Sequence, residues 1–205
     1  TKFAKMMIED CALVDILGSW RAEELYFQKE LRNTYKVGLS LLEPWWADKP
    51  WTRILTGKNV LVVHPFADSI WQQYHYKREK LFRNDSILPV FNLKVLKAVQ
   101  SLGGNSNYND WFEALEYMKK EIDKVDYDIC LIGCGAYGFP LAAHVKRTGK
   151  KAIHLGGGLQ LLFGIRGKRW DMRDEYKSLM NEYWIRPSED ETPVVAKKVE
   201  GACYW

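Results

Sequence analysis

No stretch of the 205 residues stays apolar long enough to cross a bilayer. Runs such as Val60–Val63 fall far short of the ~20 residues that a spanning helix needs. The first residues, Thr1 to Asp10, place Lys2, Lys5, Glu9 and Asp10 where a secretion signal would carry its apolar centre, so no signal peptide is expected. Cysteine is sparse. Cys11, Cys130, Cys134 and Cys203 have neither a disulfide nor a zinc spacing, which fits reduced, partly buried thiols in a cytoplasmic protein. The four histidines are not at metal-ligand spacing, no Walker A sequence occurs, and no Ser-His-Asp or Cys-His signature is present. Metal sites, phosphate-loop ATPases and triad hydrolases therefore lose their support. An excess of one charge is also missing. Lys plus Arg number 30 against 26 Asp plus Glu, and a net +4 with the signs interspersed is too mild to imply a nucleic-acid partner.

What is present is the balance of a folded globule, 47% hydrophobic and 27% charged. The length suits one domain over residues 1–205, either alone or as a module of a longer polypeptide. Phe3, Met7, Cys11 and Val14 predict a helix over about 2–14, and a second is expected over Arg21–Leu31. Pro44 and Pro50 make Leu39–Trp51 an irregular aromatic loop. Asn59–His64 reads as a strand buried on both faces, followed by a helix that Asp68 or Ser69 would cap and that runs through Phe82. Phe91–Val99 is extended, Gly103–Asn107 a turn, and Trp111, Leu115, Met118, Ile122 and Val125 mark a helix over about 109–125. Tyr127–Gly133, Phe139–Arg147 and Lys151–Leu155 continue as strand, helix and strand. This alternation predicts a Rossmann-like α/β fold with a mainly parallel sheet flanked by helices. The tail from Arg186 to Glu200 should wrap the surface, with Cys203 to Trp205 tucking back.

Ligands of such sheets bind beyond the carboxyl ends of the strands, which directs attention to three turns. Gly133-Cys-Gly-Ala-Tyr-Gly138 matches Gly-x-Gly-x-x-Gly between a strand and a helix, so Gly133, Gly135, Ala136, Tyr137 and Gly138 are candidate phosphate-binding residues. The next strand ends Ile153-His154-Leu155 without the carboxylate that would hold a dinucleotide's ribose. A structural turn and a different phosphate-bearing ligand both remain open. His154-Leu-Gly-Gly-Gly158 adds His154, Gly156, Gly157 and Gly158, and Arg166, Lys168 and Arg169 follow as cations able to neutralise a diphosphate. The third turn offers His64 and Asp68 for acid-base work, although an Asp there also suits a helix cap. His75 and His144 read as helix-face residues. Trp45, Trp46 and Trp51 suit either core packing or stacking on sugar rings.

The segments Gly57–Ile70, Ile132–Leu141 and His154–Gly164 together resemble proteins of bacterial polysaccharide-assembly loci, relatives of the GT-D glycosyltransferases. Similar modules occur in multidomain glycosyltransferases, including those of large viruses. The likeness runs from about Asp15 to Trp205. It implies transfer of a sugar from a nucleotide-diphosphate donor, UDP type favoured, to a glycan or glycoconjugate acceptor, with Gly133–Gly138 and Gly156–Gly158 lining the donor cleft. GT-D enzymes carry an Asp-x-Glu motif toward the amino end, and this sequence has none. The expectation is therefore transfer that requires neither metal nor cofactor. Two alternatives accompany it: a methyltransferase using S-adenosylmethionine at Gly133-Cys-Gly135, and a non-catalytic nucleotide- or glycan-binding module.

Overall fold

The computed structural model describes residues 1–101, 107–198 and 200–205. The turn expected at Gly103–Asn107 lies outside them except for Asn107. Helix α1 (Lys2–Cys11) starts where the Thr1 hydroxyl accepts the Ala4 N–H at 3.3 Å. Its end is tied to a later helix by Arg147, which donates to the buried Asp10 carboxylate at 2.5 Å. Two short strands that the sequence did not announce follow, β1 (Ile16–Ser19) and β2 (Tyr35–Gly38), paired in parallel. Between them, the helix expected over 21–31 is reduced to a 3₁₀ segment, Ala22–Phe27. The cause is Glu24. Its carboxylate accepts from the Ser19 hydroxyl at 2.5 Å and from the Trp20 and Arg21 N–H groups at 2.9 and 3.1 Å, folding the segment back onto the end of β1. These bonds, the Ser19 one foremost, hold its carboxyl down at about 2. The aromatic loop is irregular as expected, a series of 3₁₀ turns over Leu39–Leu42, Pro44–Trp46 and Trp51–Leu55.

The main sheet contains β3 (Asn59–His64), β4 (Asn92–Lys97), β5 (Ile129–Ile132) and β6 (Lys151–His154), all parallel and ordered β4-β3-β5-β6. Between these strands come α2 (Ala67–Leu81), α3 (Trp111–Asp123) and α4 (Gly138–Arg147). Successive residues of β3 serve different layers because side chains alternate along a strand. Val60 and Val62 join Ile70, Tyr74 and Leu81 of α2 in one core, while Leu61 and Val63 join Leu115, Met118 and Ile122 of α3 and Leu141 and Val145 of α4 in the other. Covered on both faces, β3 and β5 have no need of polar residues, hence their continuous apolar character. This is a single-domain, Rossmann-like α/β fold.

The rest of the chain adds small pieces: α5 (Gly158–Leu162), α6 (Lys168–Asp171) and α7 (Asp174–Lys177). The tail does more than wrap the surface, because Ala196, Ala202 and Trp205 enter the α2-side core. No helix among the described residues is long and apolar enough to cross a membrane.

Candidate functional site

The order β4-β3-β5-β6 means that the chain leaves β3 toward one side of the sheet and later returns to its other side, so the topological switch point lies between the ends of β3 and β5. The three predicted turns converge there. A Cβ placed on Gly133 would lie 2.6 Å from the Gly156 carbonyl oxygen, 2.8 Å from His64 Cδ2 and 2.9 Å from Leu159 Cβ. Gly133 is thus glycine because three elements meet over it, and phosphate approach at that residue is closed. Gly138, at the start of α4, is covered in the same way by the His154 ring. Gly135 differs. Its φ of +55° sits in the left-handed region, and among the described residues nothing lies within 4 Å of where its Cβ would be. With Ala136 it forms an exposed turn opening a 3₁₀ segment (Gly135–Tyr137) that runs directly into α4, so these first N–H groups have no intrahelical acceptor. Tyr137 is buried, stacked on Trp111 and bonded to Ser101, and therefore packs rather than binds.

The two histidines at the strand ends are held neutral by burial and oriented by different bonds. His64 is buried, and its Nδ1 accepts the Phe66 N–H at 3.0 Å, which leaves the proton on Nε2. Burial pushes its pKa down to about 3. His64 accordingly keeps an N–H donor at Nε2, and its basic nitrogen is already engaged. His154 instead donates Nδ1–H to the Ile132 carbonyl at 3.1 Å, and burial lowers its pKa as well. A lowered folded pKa in a base means that the unfolded chain binds the extra proton first, so stability is full above the unfolded value near 6.5 and declines as pH falls toward 3. Thermal unfolding followed from pH 8 to pH 4 should show midpoints falling below about pH 6.5, and His64→Asn should flatten that slope whatever it does to the midpoint at pH 8. An unchanged slope in the variant would mean that His64 is not the group being titrated.

Asp68 is not the cap of α2. Phe66 holds the N-cap position without a side-chain bond, and the capping comes from the tail. Glu191, only 2% exposed, accepts from the Asp68 and Ser69 N–H groups at 2.9 and 3.2 Å, from the Ser188 hydroxyl at 3.1 Å, and from the Ser69 hydroxyl. A carboxylate set on the positive end of a 15-residue helix anchors the tail to the carboxyl end of β3. The Asp68 side chain, freed from capping, is exposed and pairs with Lys97 at the end of β4, 2.9 Å away. That bond raises the Lys97 pKa. Nothing in the sequence singles out Glu191 or Lys97, and no local pattern links Glu191 to residues more than 120 positions upstream.

The second glycine turn is partly occupied by the chain itself. Gly156, with φ +56°, has open space at its Cβ position among the described residues, whereas Gly157 is overlaid by the Tyr204 ring and a Cβ on Gly158 would lie 3.9 Å from the Trp45 ring. Of the three tryptophans, Trp45 is core, Trp51 is half-buried and donates to the Leu42 carbonyl, and Trp46 is exposed and donates to Glu43 at 2.6 Å. The cations turn toward the tail. Arg166 pairs with Asp171 at 3.1 Å, Lys168 lines a cavity of about 460 Å³ together with Pro187, Val194 and Trp205, and the Arg169 guanidinium lies 4.5 Å over the Tyr204 ring. Tyr204 therefore connects Arg169 to Gly157. Cys134 is buried, its thiol pushed up to about 12, and Cys130 is buried as well. His75 bonds the Trp71 carbonyl and His144 pairs with Asp123, as helix-face residues do. Among the described residues no group of three or more His, Cys, Asp and Glu could hold a metal ion.

No protein-family model matches the chain, no curated protein matches it in sequence, and no solved structure matches it.

Proposed function

We propose that this chain is a glycosyltransferase that moves a sugar from a nucleotide-diphosphate donor, UDP type favoured, to a glycan hydroxyl. The observation that carries this reading is the Gly135 turn: a left-handed, uncovered glycine beside the switch point, opening a helix of the main sheet. A diphosphate lying against Gly135 and Ala136 would meet backbone N–H groups and the helix dipole, with the His64 Nε2–H as a further donor nearby. Arg169 is the cation best connected to the neighbouring glycine turn, through Tyr204. Asp68 is the carboxylate assigned to deprotonate the acceptor, and Lys97 must release it for that step.

The test is a transfer assay with UDP-sugars and an oligosaccharide acceptor, run with and without EDTA. Turnover should persist in chelator, and Asp68→Asn should lower it by ~100-fold or more with little change in donor affinity. Loss of transfer in EDTA with recovery on adding manganese would overturn the metal-free mechanism. A second reading, a non-catalytic nucleotide- or glycan-binding module, is favoured by the Asp68–Lys97 pair and by the engaged His64 Nδ1, since neither group stands free as a base. Donor hydrolysis in the absence of acceptor would exclude that module.

A further inference from the structure

The β1–β2 unit is incomplete as a structure. Parallel strands pair less strongly than antiparallel ones and occur almost only in larger sheets with covered faces, yet this sheet has two strands of four residues each. Tyr35 N–H donates to the Asp15 carbonyl at 2.8 Å, so the backbone groups of Tyr35 point toward β1 and those of Lys36, next in alternation, point away. Among the described residues nothing accepts from or donates to that outer edge of β2. The same unit is where large apolar side chains lie open: Trp20, Tyr26 and Tyr35 are 68%, 84% and 71% exposed, and Ile16, Leu25 and Leu41 are more than half exposed. At ~150–250 Å² for each aromatic, the uncovered area approaches the ~800 Å² per partner of a standard interface.

We propose that this unit is a homodimer interface, in which the open edge of β2 pairs with the β2 edge of a second copy about a twofold axis. A row of free backbone donors and acceptors is complementary to another polypeptide strand rather than to a lipid or a glycan. The area open on this unit approaches what one partner contributes to a standard dimer, and charge does not stand against a second copy. Residues 16–42 carry four cations (Arg21, Lys29, Arg32, Lys36) and three anions (Glu23, Glu24, Glu30), a net +1 that opposes the approach of a second copy only weakly. A lysine usually guards an open edge, and here Lys36 is paired with Glu24 at 3.3 Å. A twofold contact is self-complementary by construction, which suits one patch that offers both an edge and an apolar surface.

Sedimentation of the whole chain over roughly 1–100 µM tests this, with a species of twice 23.9 kDa expected in that range. Lys36→Pro removes an outward N–H and leaves the ladder to β1 intact, and Tyr35→Glu puts a charge at the exposed surface. Each should weaken the dimer ~10-fold or more while circular dichroism stays unchanged. Should Lys36→Pro unfold, Tyr35→Glu alone carries the test. A monomer at every concentration overturns the proposal, as does a dimer indifferent to Tyr35→Glu. Co-sedimentation of a monomeric wild type with phosphatidylcholine/phosphatidylglycerol vesicles would overturn it in favour of a membrane surface.

Discussion

Gly138→Ala is expected to destabilise the protein by ~1–3 kcal/mol, although alanine is the better helix former by ~1 kcal/mol. The added methyl group would overlap the His154 ring, which is pinned by its bond to the Ile132 carbonyl and cannot swing away without losing it. His154→Ala in the same chain should recover part of the loss, because it removes the obstructing ring. Gly133→Ala should cost at least as much and resist rescue, since the nearest atom to the new Cβ, at 2.6 Å, is the backbone oxygen of Gly156. Gly135→Ala, with no described residue within 4 Å of the new Cβ, should cost only the ~1–2 kcal/mol of a left-handed alanine. Urea unfolding of the three single variants and the Gly138–His154 double variant checks this ranking. If Gly135→Ala proved the most damaging, the division into two packing glycines and one open glycine would be wrong.

The second large effect belongs to Glu191. Glu191→Ala leaves the Asp68 and Ser69 N–H groups and two serine hydroxyls without their acceptor in a buried place. Bonds to a charged group are worth ~1.5–3 kcal/mol each and are not additive, so a loss of ~3 kcal/mol or more is expected. For a chain of this length that corresponds to a melting point lower by ~6–12 °C. Amide exchange should quicken at Asp68 and Ser69 in particular, because their N–H groups lose the Glu191 carboxylate. Asp68→Asn, which breaks only an exposed pair, should change stability by less than ~1 kcal/mol. Equal melting points for Glu191→Ala and wild type would show that the tail is not clasped through this carboxylate.

The parts of the fold legible in the sequence are those whose signals are local and strong. The β-branched run Asn59–His64 is the observed β3, and the three-four spacing from Trp111 to Ile122 is α3, with Asp110 as its cap. Gly149, at φ +81°, ends α4 as a glycine after a helix should. Strands β1 and β2 were hidden because four-residue segments containing Gly18 and Gly38 carry no alternation to read. The segment 21–31 has helical spacing, yet Glu24 is taken up by Ser19 and two N–H groups outside any helix. At the site, the sequence located the three turns and the structure brings them into contact, but it could not divide their labour. Whether a glycine is open or covered depends on what packs over it, and His64, His154 and Tyr204 are distant in the chain from the glycines they cover. The Glu191 clasp is invisible for the same reason.

Titration calorimetry with UDP-sugars in EDTA asks directly for the binding proposed above, that of a nucleotide-diphosphate sugar at the Gly135 turn. Gly135→Asn is the informative variant, since asparagine tolerates the left-handed backbone and still fills the approach. Specific binding by the wild type and a ~10-fold or greater loss in Gly135→Asn is the predicted result. Equal affinity in the two proteins, or no binding of UDP-, GDP- or dTDP-sugars by a folded wild type, would contradict it.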